Sequence, residues 1–315
     1  MTCPKCEHEN LKRFGTYGKA KIQRYRCRDC GATASEPQSH LLGQHTTRLD
    51  DAVRVFTLLT EGMSVRAISR VTGIHKTTIL SLLTTIAGKC RGVFDAKIQN
   101  MRPRYVQADE LWTFVHTKMK RVRSTDPDEY GDQYVWLALD SETKAILSYY
   151  VGKRDGLSAY EFIEDLSRRI IGRCQLTTDG LDAYPPAVEE HFGADVDYAQ
   201  LVKNYAAPRT DGPDWYRPSA RVVSTVPTLV MGNPKFEKIS TSPIERTNLT
   251  LRMQLRRFTR LTNGFSKKLE NLKAAVAVFV AWYNFCRVHQ TLRVTPAMEA
   301  GLADHVWTVA ELLSG

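Results

Sequence analysis

Tyr105-Val106-Gln107-Ala108-Asp109-Glu110-Leu111-Trp112 is the stretch whose reading decides the fold. Aromatic and β-branched residues fill the run from Tyr105 to Val115, with an acid in its middle, and such a run reads as a strand. Tyr134–Leu139 reads as a second strand and Ala145–Val151 as a third. Ser158–Ile171 then sets Tyr160, Phe162, Ile163, Leu166, Ile170 and Ile171 along an amphipathic helix. Gln175–Thr178 is a short strand, a helix follows around Ala187–His191, and Val196–Leu201 makes another strand. The stretch 204–236, rich in Pro, Gly, Arg and Asp, reads as a long loop or insertion. Ser242-Pro243-Ile244-Glu245 opens a helix with Pro243 in its first turn, and Lys267–Phe285 is a second long helix. This order predicts a mixed α/β sheet with helices on its faces.

Upstream the pattern is all-α. Val53, Phe56, Leu58 and Leu59 give a helical apolar stripe. Glu61-Gly62-Met63-Ser64 is a stop followed by a Ser N-cap. Val65–Val71 and Lys76–Leu83 make two short helices about the turn Thr72-Gly73-Ile74-His75. With Ala67 small on the inside and Ile68, Val71, Ile74, Ile79 and Leu82 apolar, this pattern fits a helix-turn-helix. His75, Lys76, Thr77 and Thr78 then stand at the N-terminal end of the recognition helix, where base edges of DNA are read. A plain helical hairpin with a basic face is the alternative.

The chain begins with two Cys-x-x-Cys pairs, Cys3-Pro4-Lys5-Cys6 and Cys27-Arg28-Asp29-Cys30. Each pair can turn two thiolates toward one ion, and four complete the tetrahedron of a structural Zn²⁺. Lys12, Arg13, Lys19, Lys21, Arg24 and Arg26 lie between the pairs and give the ribbon the charge of a nucleic-acid-binding module. A ribbon that pins the N-terminus or binds protein is the bland alternative. A disulfide framework fits poorly: no signal peptide precedes Cys3, and Cys90, Cys174 and Cys286 are scattered. These readings divide the chain into a zinc ribbon (1–40) ending in the linker Ser35-Glu36-Pro37-Gln38-Ser39, a helix-turn-helix region (48–94), an α/β region (104–293) and a tail (294–315).

The 315 residues are 43% hydrophobic and 25% charged, the balance of an ordinary soluble protein, with a net charge of +10. The longest strongly apolar run, Ala274–Trp282, is too short to span a bilayer. The expectation is a cytoplasmic protein of a prokaryote, associated with the nucleoid and not with a membrane. Charge falls in blocks. Residues 1–103 hold 17 Lys/Arg and 8 Asp/Glu, residues 104–244 hold 17 and 21, and residues 245–293 hold 10 and 2. Basic flanks neutralise phosphates, while an acidic middle suits divalent metal; uneven solvated surface is the alternative. No Walker loop, dinucleotide-binding glycine fingerprint or nucleophilic Ser or Cys setting is present.

Three acids stand at informative places: Asp109 in the first strand, Asp179 at the end of Leu176-Thr177-Thr178-Asp179, and Glu245 at the start of a helix. Three carboxylates brought together can hold two hard cations through oxygen. Two such ions activate a water or a 3′-hydroxyl for in-line phosphoryl displacement. The bland reading is that Asp179-Gly180 is a turn and Glu245 an acid near a helix N-terminus. Glu110 neighbours Asp109, but strand alternation sends it to the opposite face, so Asp109 is the one expected to face the metals.

The strings CPKC with CRDC, QRYRC, GMSVRAISRVTGIHKTTIL, DELW, TTDGLDAY, IERTNLTLRMQLRRFTRLTNGFSKK and WYNFCRVHQTLRVTPAMEAG together resemble the insertion-sequence transposases of the DDE superfamily. They are similar to the IS-one family, where an InsA-type zinc ribbon and helix-turn-helix precede an InsB-type catalytic region. The resemblance implies an RNase H-like catalytic fold, with Asp109, Asp179 and Glu245 as a triad holding Mg²⁺ or Mn²⁺ and Zn²⁺ as a structural ion. It places a basic residue, Arg252, two turns beyond Glu245 on the same helical face, with Arg256, Arg257 and Arg260 as neighbours that position phosphates. The implied partners are double-stranded DNA, as terminal inverted repeats and target, and further copies of the chain. A DNA-binding regulator without chemistry, and an RNase H-like nuclease without strand transfer, are the other functions compatible with the sequence.

Overall fold

Tyr105–Val115 is a strand, and the sheet assembles around it. The computed structural model describes residues 2–17, 22–36, 42–43, 45, 47–206, 222–259 and 262–314. They fall into two compact units, Met1–His45 and Thr46–Gly315.

In the first unit, β1 (Leu11–Tyr17), β2 (Ile22–Cys27) and β3 (Thr33–Ser35) pair antiparallel in that order. Two tight turns carry the cysteines. The Glu7 amide donates to the Cys3 carbonyl and the Gly31 amide to the Cys27 carbonyl. Glu7 and Gly31 take positive φ, 59° and 71°, as such turns require. Among the described residues of this unit only Cys3, Cys27 and Leu42 are buried apolar side chains. So small a core does not hold a fold without a cross-link or a metal.

The second unit opens with α1 (Leu49–Thr60), α2 (Val65–Thr72) and α3 (Lys76–Lys97). The Ser64 hydroxyl caps α2 by accepting from the Ala67 amide at 3.1 Å, and Gly73 ends it with φ 74°. The α3 helix runs well past the expected end at Leu83. Ile86, Ala87, Cys90, Val93 and Phe94 continue its buried stripe, which packs along a later helix.

The α/β part follows as β4 (Tyr105–Val115), β5 (Gly131–Asp140), β6 (Ile146–Gly152), α4 (Gly156–Arg169), β7 (Cys174–Asp179), α5 (Tyr184–Phe192), β8 (Val196–Tyr205), β9 (Val222–Met231), α6 (Ser242–Gln254) and α7 (Leu269–Phe285). Two short helices close the chain, α8 (Pro296–Glu299) and α9 (Val309–Ser314). The sheet order is β6-β5-β4-β7-β8-β9. β5 is antiparallel to β4 and β6, β7 and β8 run parallel to β4 and to each other, and β9 closes the edge antiparallel to β8. Three meandering strands followed by two parallel strands, each reached through a helix, make the RNase H-like mixed sheet with flanking helices.

Packing explains the composition. Trp136 of β5 meets Phe162 of α4 and Tyr184 of α5. The α7 helix is buried almost all round, from Ala274 to Ala281, because it lies between α3 and the sheet, which accounts for the long apolar run. Asn284 docks its end: the side-chain oxygen accepts from the Ile146 amide and the side-chain nitrogen donates to the Ile146 carbonyl, both at 2.9 Å. In the expected tail, Leu312 and Leu313 of α9 are fully buried and α9 packs on α3 and α1. Within the stretch expected as a loop or insertion, β9 is a strand. Residues 207–221 of that stretch, like Lys19, Lys21 and part of the expected linker, lie outside the described residues. Among the described residues no helix is long and apolar enough to cross a membrane.

Candidate active site

The register of two parallel strands builds the site. Gln107 of β4 pairs with Thr177 of β7, and the pairing ends there. Asp109 and Asp179, each two residues further on, therefore stand level where the strands part. One carboxylate oxygen each from Asp109, Glu110 and Asp179 lie within 4.8 Å of one another. Alternation sends Asp109 toward α6 and Glu110 toward α5, as their hydrogen bonds show. Asp179 is the last residue of β7, and its carboxylate is within reach of both.

Glu110 is held on two sides. Arg154 donates to it through Nε at 2.7 Å and lies 2.6 Å away through Nη2, and the Tyr184 hydroxyl donates at 3.2 Å. The same Arg154 Nη2 is 3.6 Å from Asp179, so one guanidinium bridges two carboxylates. On the other face the Asn248 side-chain nitrogen of α6 donates to Asp109 at 2.8 Å. The Asn248 side-chain oxygen is buried with no partner among the described residues. The Ile244 amide donates to the Gln107 side chain at 3.2 Å, seating the start of α6 against β4.

These carboxyls are costly to ionise together. Burial pushes Asp109 up to about 7, with the charges of Glu110 and Asp179 adding to it. Burial also raises Glu110, with the charge of Asp179 second, and burial raises Asp179 against the pull of the Leu181 amide and Arg154. Tyr184, fully buried, stays well above its ordinary range and so remains a donor. A divalent cation favours the ionised forms of all three acids, and the donors here are hard oxygens of the kind Mg²⁺ takes. The residues present fit such an ion.

Glu245 lies outside this group of three. It accepts from the Thr241 hydroxyl at 2.6 Å and pairs with the Lys203 ammonium of β8. The Lys203 charge is stabilised by Glu245 and also feels Asp109, so this ammonium links the helix acid to the strand acids. Arg252, two turns along α6, donates to the Phe258 carbonyl at 3.4 Å. Arg256 is exposed in the turn after α6, and Arg257 is half-buried there. Arg260 lies outside the described residues. His75 is the N-cap of α3, its ring nitrogen 2.7 Å from the Thr77 hydroxyl. His75, Lys76 and Thr77 are exposed there and Thr78 is half-buried.

The cysteines of the first unit meet as the spacing expects. Cys3 Sγ is 3.5 Å from Cys30 Sγ, and Cys6 Sγ is 3.6 Å from Cys27 Sγ. All four sulfurs lie within 4.8 Å of one another and none is in a disulfide. Zn–S bonds of about 2.3 Å at tetrahedral angles need sulfurs roughly 3.8 Å apart, so the donor set fits zinc.

Sequence reasoning missed Glu110, Arg154, Tyr184, Lys203 and Asn248 as members of the acid site. Asn248 carried a signal, lying three residues after Glu245 and so on the same helical face. Arg154 and Lys203 carried none, since nothing in a strand-end cation says which acid it will meet.

Residues 130–211 match the family model of the DDE domain of IS240 transposase type. That segment contains Asp179 but neither Asp109 nor Glu245. Comparison with curated proteins gives no match. Among solved structures, the chain is similar to the Mos1 Strand Transfer Complex at 13% identity and TM-score 0.22, over 52% of this chain and 60% of that one. It is also similar to a piggyBac transposase synaptic complex with hairpin DNA, at 12% identity and TM-score 0.35, over 86% of this chain and 72% of that one. The chain thus spans about 60% of the length of that Mos1 chain.

Proposed function

We propose that this protein is a DDE transposase that cuts DNA at the ends of an insertion sequence and joins them to a target. The observation that carries the reading is the gathering of Asp109, Glu110 and Asp179 oxygens within 4.8 Å, in an RNase H-like sheet whose 130–211 segment matches a DDE domain. Divalent Mg²⁺ or Mn²⁺, when bound, supplies activation of a water or 3′-hydroxyl and stabilisation of the leaving oxygen. Asp109 and Asp179 are its strand ligands, and Glu245 is the third, brought in from α6. Arg154 holds Glu110 and Asp179 in place. Lys203 pairs with Glu245 and holds it at the edge of the site. Arg252, Arg256, Arg257 and Arg260 position DNA phosphates.

On this reading the Cys3, Cys6, Cys27 and Cys30 ribbon (1–40) holds Zn²⁺, and with the 48–94 helices it recognises terminal inverted repeats through His75, Lys76, Thr77 and Thr78. Residues 104–293 form the catalytic domain and 294–315 its C-terminal extension. The organisation is that of the IS-one family, InsA-type modules preceding an InsB-type domain. Two ends must be brought together, so the working form contains at least two copies of the chain.

The test is strand cleavage and joining on a DNA fragment carrying both ends of the element, with Mg²⁺, for the parent and Asp179→Asn. The expected result is loss of both products at unchanged DNA affinity. DNA binding without cleavage by the parent protein would instead favour a regulator without chemistry, and cleavage without joining a nuclease.

A further inference from the structure

The Thr46–Gly315 unit contains a cavity of about 710 Å³ apart from the acids. It lies between the first turns of α2 and α3 and the segment that joins α6 to α7. Its volume falls within the roughly 300–1,000 Å³ of small-molecule pockets. The apolar side is formed by Leu59, Leu80, Leu83, Leu255, Phe265 and Val278. The polar side carries Arg66, Lys76, Arg256, Arg257 and Lys267, and no Asp or Glu is among its described lining residues.

Arg257 is the informative member. Its Nη1 donates to the Ser266 hydroxyl at 2.9 Å and to the Asn271 carbonyl at 2.7 Å, which fixes the plane of the fork. It makes no ion pair with a described residue. Burial alone pulls its pKa down to about 10, with no carboxylate among the described residues near enough to offset it. A guanidinium that gives up water without gaining a carboxylate is held at a cost. An anion in the cavity removes that cost, and four further cations line the same space. The apolar side would be left wet by a bare phosphate, whereas a flat heterocycle covers it and can stack on Phe265.

We propose that this cavity binds a nucleotide, with its phosphate on Arg257 and the neighbouring cations and its base against Phe265 and the leucines. The same chemistry is offered by a free nucleotide and by one nucleotide of a DNA strand. Nothing in the proposal requires the strand-cleavage reading.

Titration calorimetry on the full chain tests it, in chelator-free buffer containing zinc but no magnesium. The ligands are 2′-deoxyadenosine 5′-monophosphate, inorganic phosphate, deoxyadenosine and a short single-stranded oligonucleotide. The monophosphate is expected to bind about tenfold or more tighter than phosphate or nucleoside alone, since each half contributes only part of the contact. Leu80→Trp fills the cavity from α3 and should weaken the monophosphate about tenfold. Arg257→Gln should do the same. Arg66→Gln alters only an exposed side chain and should weaken it a few-fold, which keeps the test valid if the other variants fail to fold. Asp179→Asn should bind the monophosphate as the parent does, so failure here is distinguishable from failure of the cleavage reading. A monophosphate no tighter than phosphate, or parental affinity in folded Leu80→Trp or in Arg66→Gln, overturns the proposal. Competition by the oligonucleotide, lost together with monophosphate binding in the variants, identifies the DNA strand as the source. Oligonucleotide binding that the variants leave untouched identifies a free nucleotide.

Discussion

Asp109→Asn is expected to make the metal-free protein more stable while removing its response to magnesium. The substitution exchanges a buried carboxyl for an amide of nearly the same shape. That carboxyl is pushed from its ordinary 3.8 up to about 7 by burial and by Glu110 and Asp179. Between those two values the unfolded chain releases a proton that the folded chain keeps, so stability falls as pH rises. The cost is absent below 3.8, grows through the interval and is complete above about 7. At about 1.4 kcal/mol per pH unit it amounts to roughly 4 kcal/mol. The Asn248 hydrogen bond survives in the variant, because an amide oxygen can accept it. The attraction of Lys203 for Asp109 is already contained in that shift, and burying an amide in place of the carboxyl costs about 1–2 kcal/mol, which lowers the net gain to roughly 2–3 kcal/mol. For a unit of this size that is a rise in Tm of roughly 4–12 °C. The assay is thermal unfolding by circular dichroism with magnesium withheld, at pH 8 and pH 5. The variant should melt higher at pH 8, and the gap should narrow at pH 5. Added Mg²⁺ should raise the Tm of the parent and leave the variant where it is. A variant that melts lower than the parent at pH 8, or a gap that ignores pH, refutes the crowding of charge on which the site's affinity for cations rests.

Three further outcomes are expected. Arg169, 8% exposed at its side chain, joins the end of α4 to the end of α3 through Asp165, Asp95 and the Ile98 carbonyl. Arg169→Met should cost about 2–3 kcal/mol in urea unfolding, less than a fully buried pair because both acids are partly exposed; a cost under about 0.5 kcal/mol contradicts this. Glu311 is drawn down to about 2 by the Thr308 amide, the Thr308 hydroxyl and His305, so its hold on α9 is complete above the ordinary 4.5 and is lost as pH falls through about 2. Glu311→Gln should speed amide exchange in α9 at pH 6, and unchanged exchange there argues against the cap. Metal analysis should find one zinc per chain, released by a strong chelator with increased proteolysis confined to 1–45, and absence of zinc from protein grown with it contradicts the ribbon.

The mixed sheet was legible because β4 is dense in aromatic and β-branched residues and α4 buries one face, with Ala159, Phe162, Ile163 and Leu166. β9 was not legible. Most of its residues are exposed, Pro227 interrupts it, and its neighbours are rich in turn formers, so no burial pattern marks it. The length of α3 past Leu83 was also hidden, since its buried stripe answers to α7, nearly two hundred residues later in the chain. Asp109 and Asp179 were readable as acids at strand positions, and the Gln107–Thr177 register brings them level. The clustering of Glu110 with them was not readable from alternation, because alternation fixes a face and does not say that the next strand ends there. Arg257 was readable as basic but not as half-buried without a carboxylate among the described residues, a property set by the packing of the α6–α7 connection.

The most direct test of the account is diffraction from crystals soaked in Mn²⁺, using the anomalous signal to locate the ions. The account predicts manganese bound by Asp109 and Asp179, with Glu245 released from Lys203 and turned onto it. Manganese held by Asp109, Glu110 and Asp179 while Glu245 remains paired with Lys203 would contradict the assignment of Glu245 as the third ligand, and no manganese at these acids would contradict the proposed chemistry.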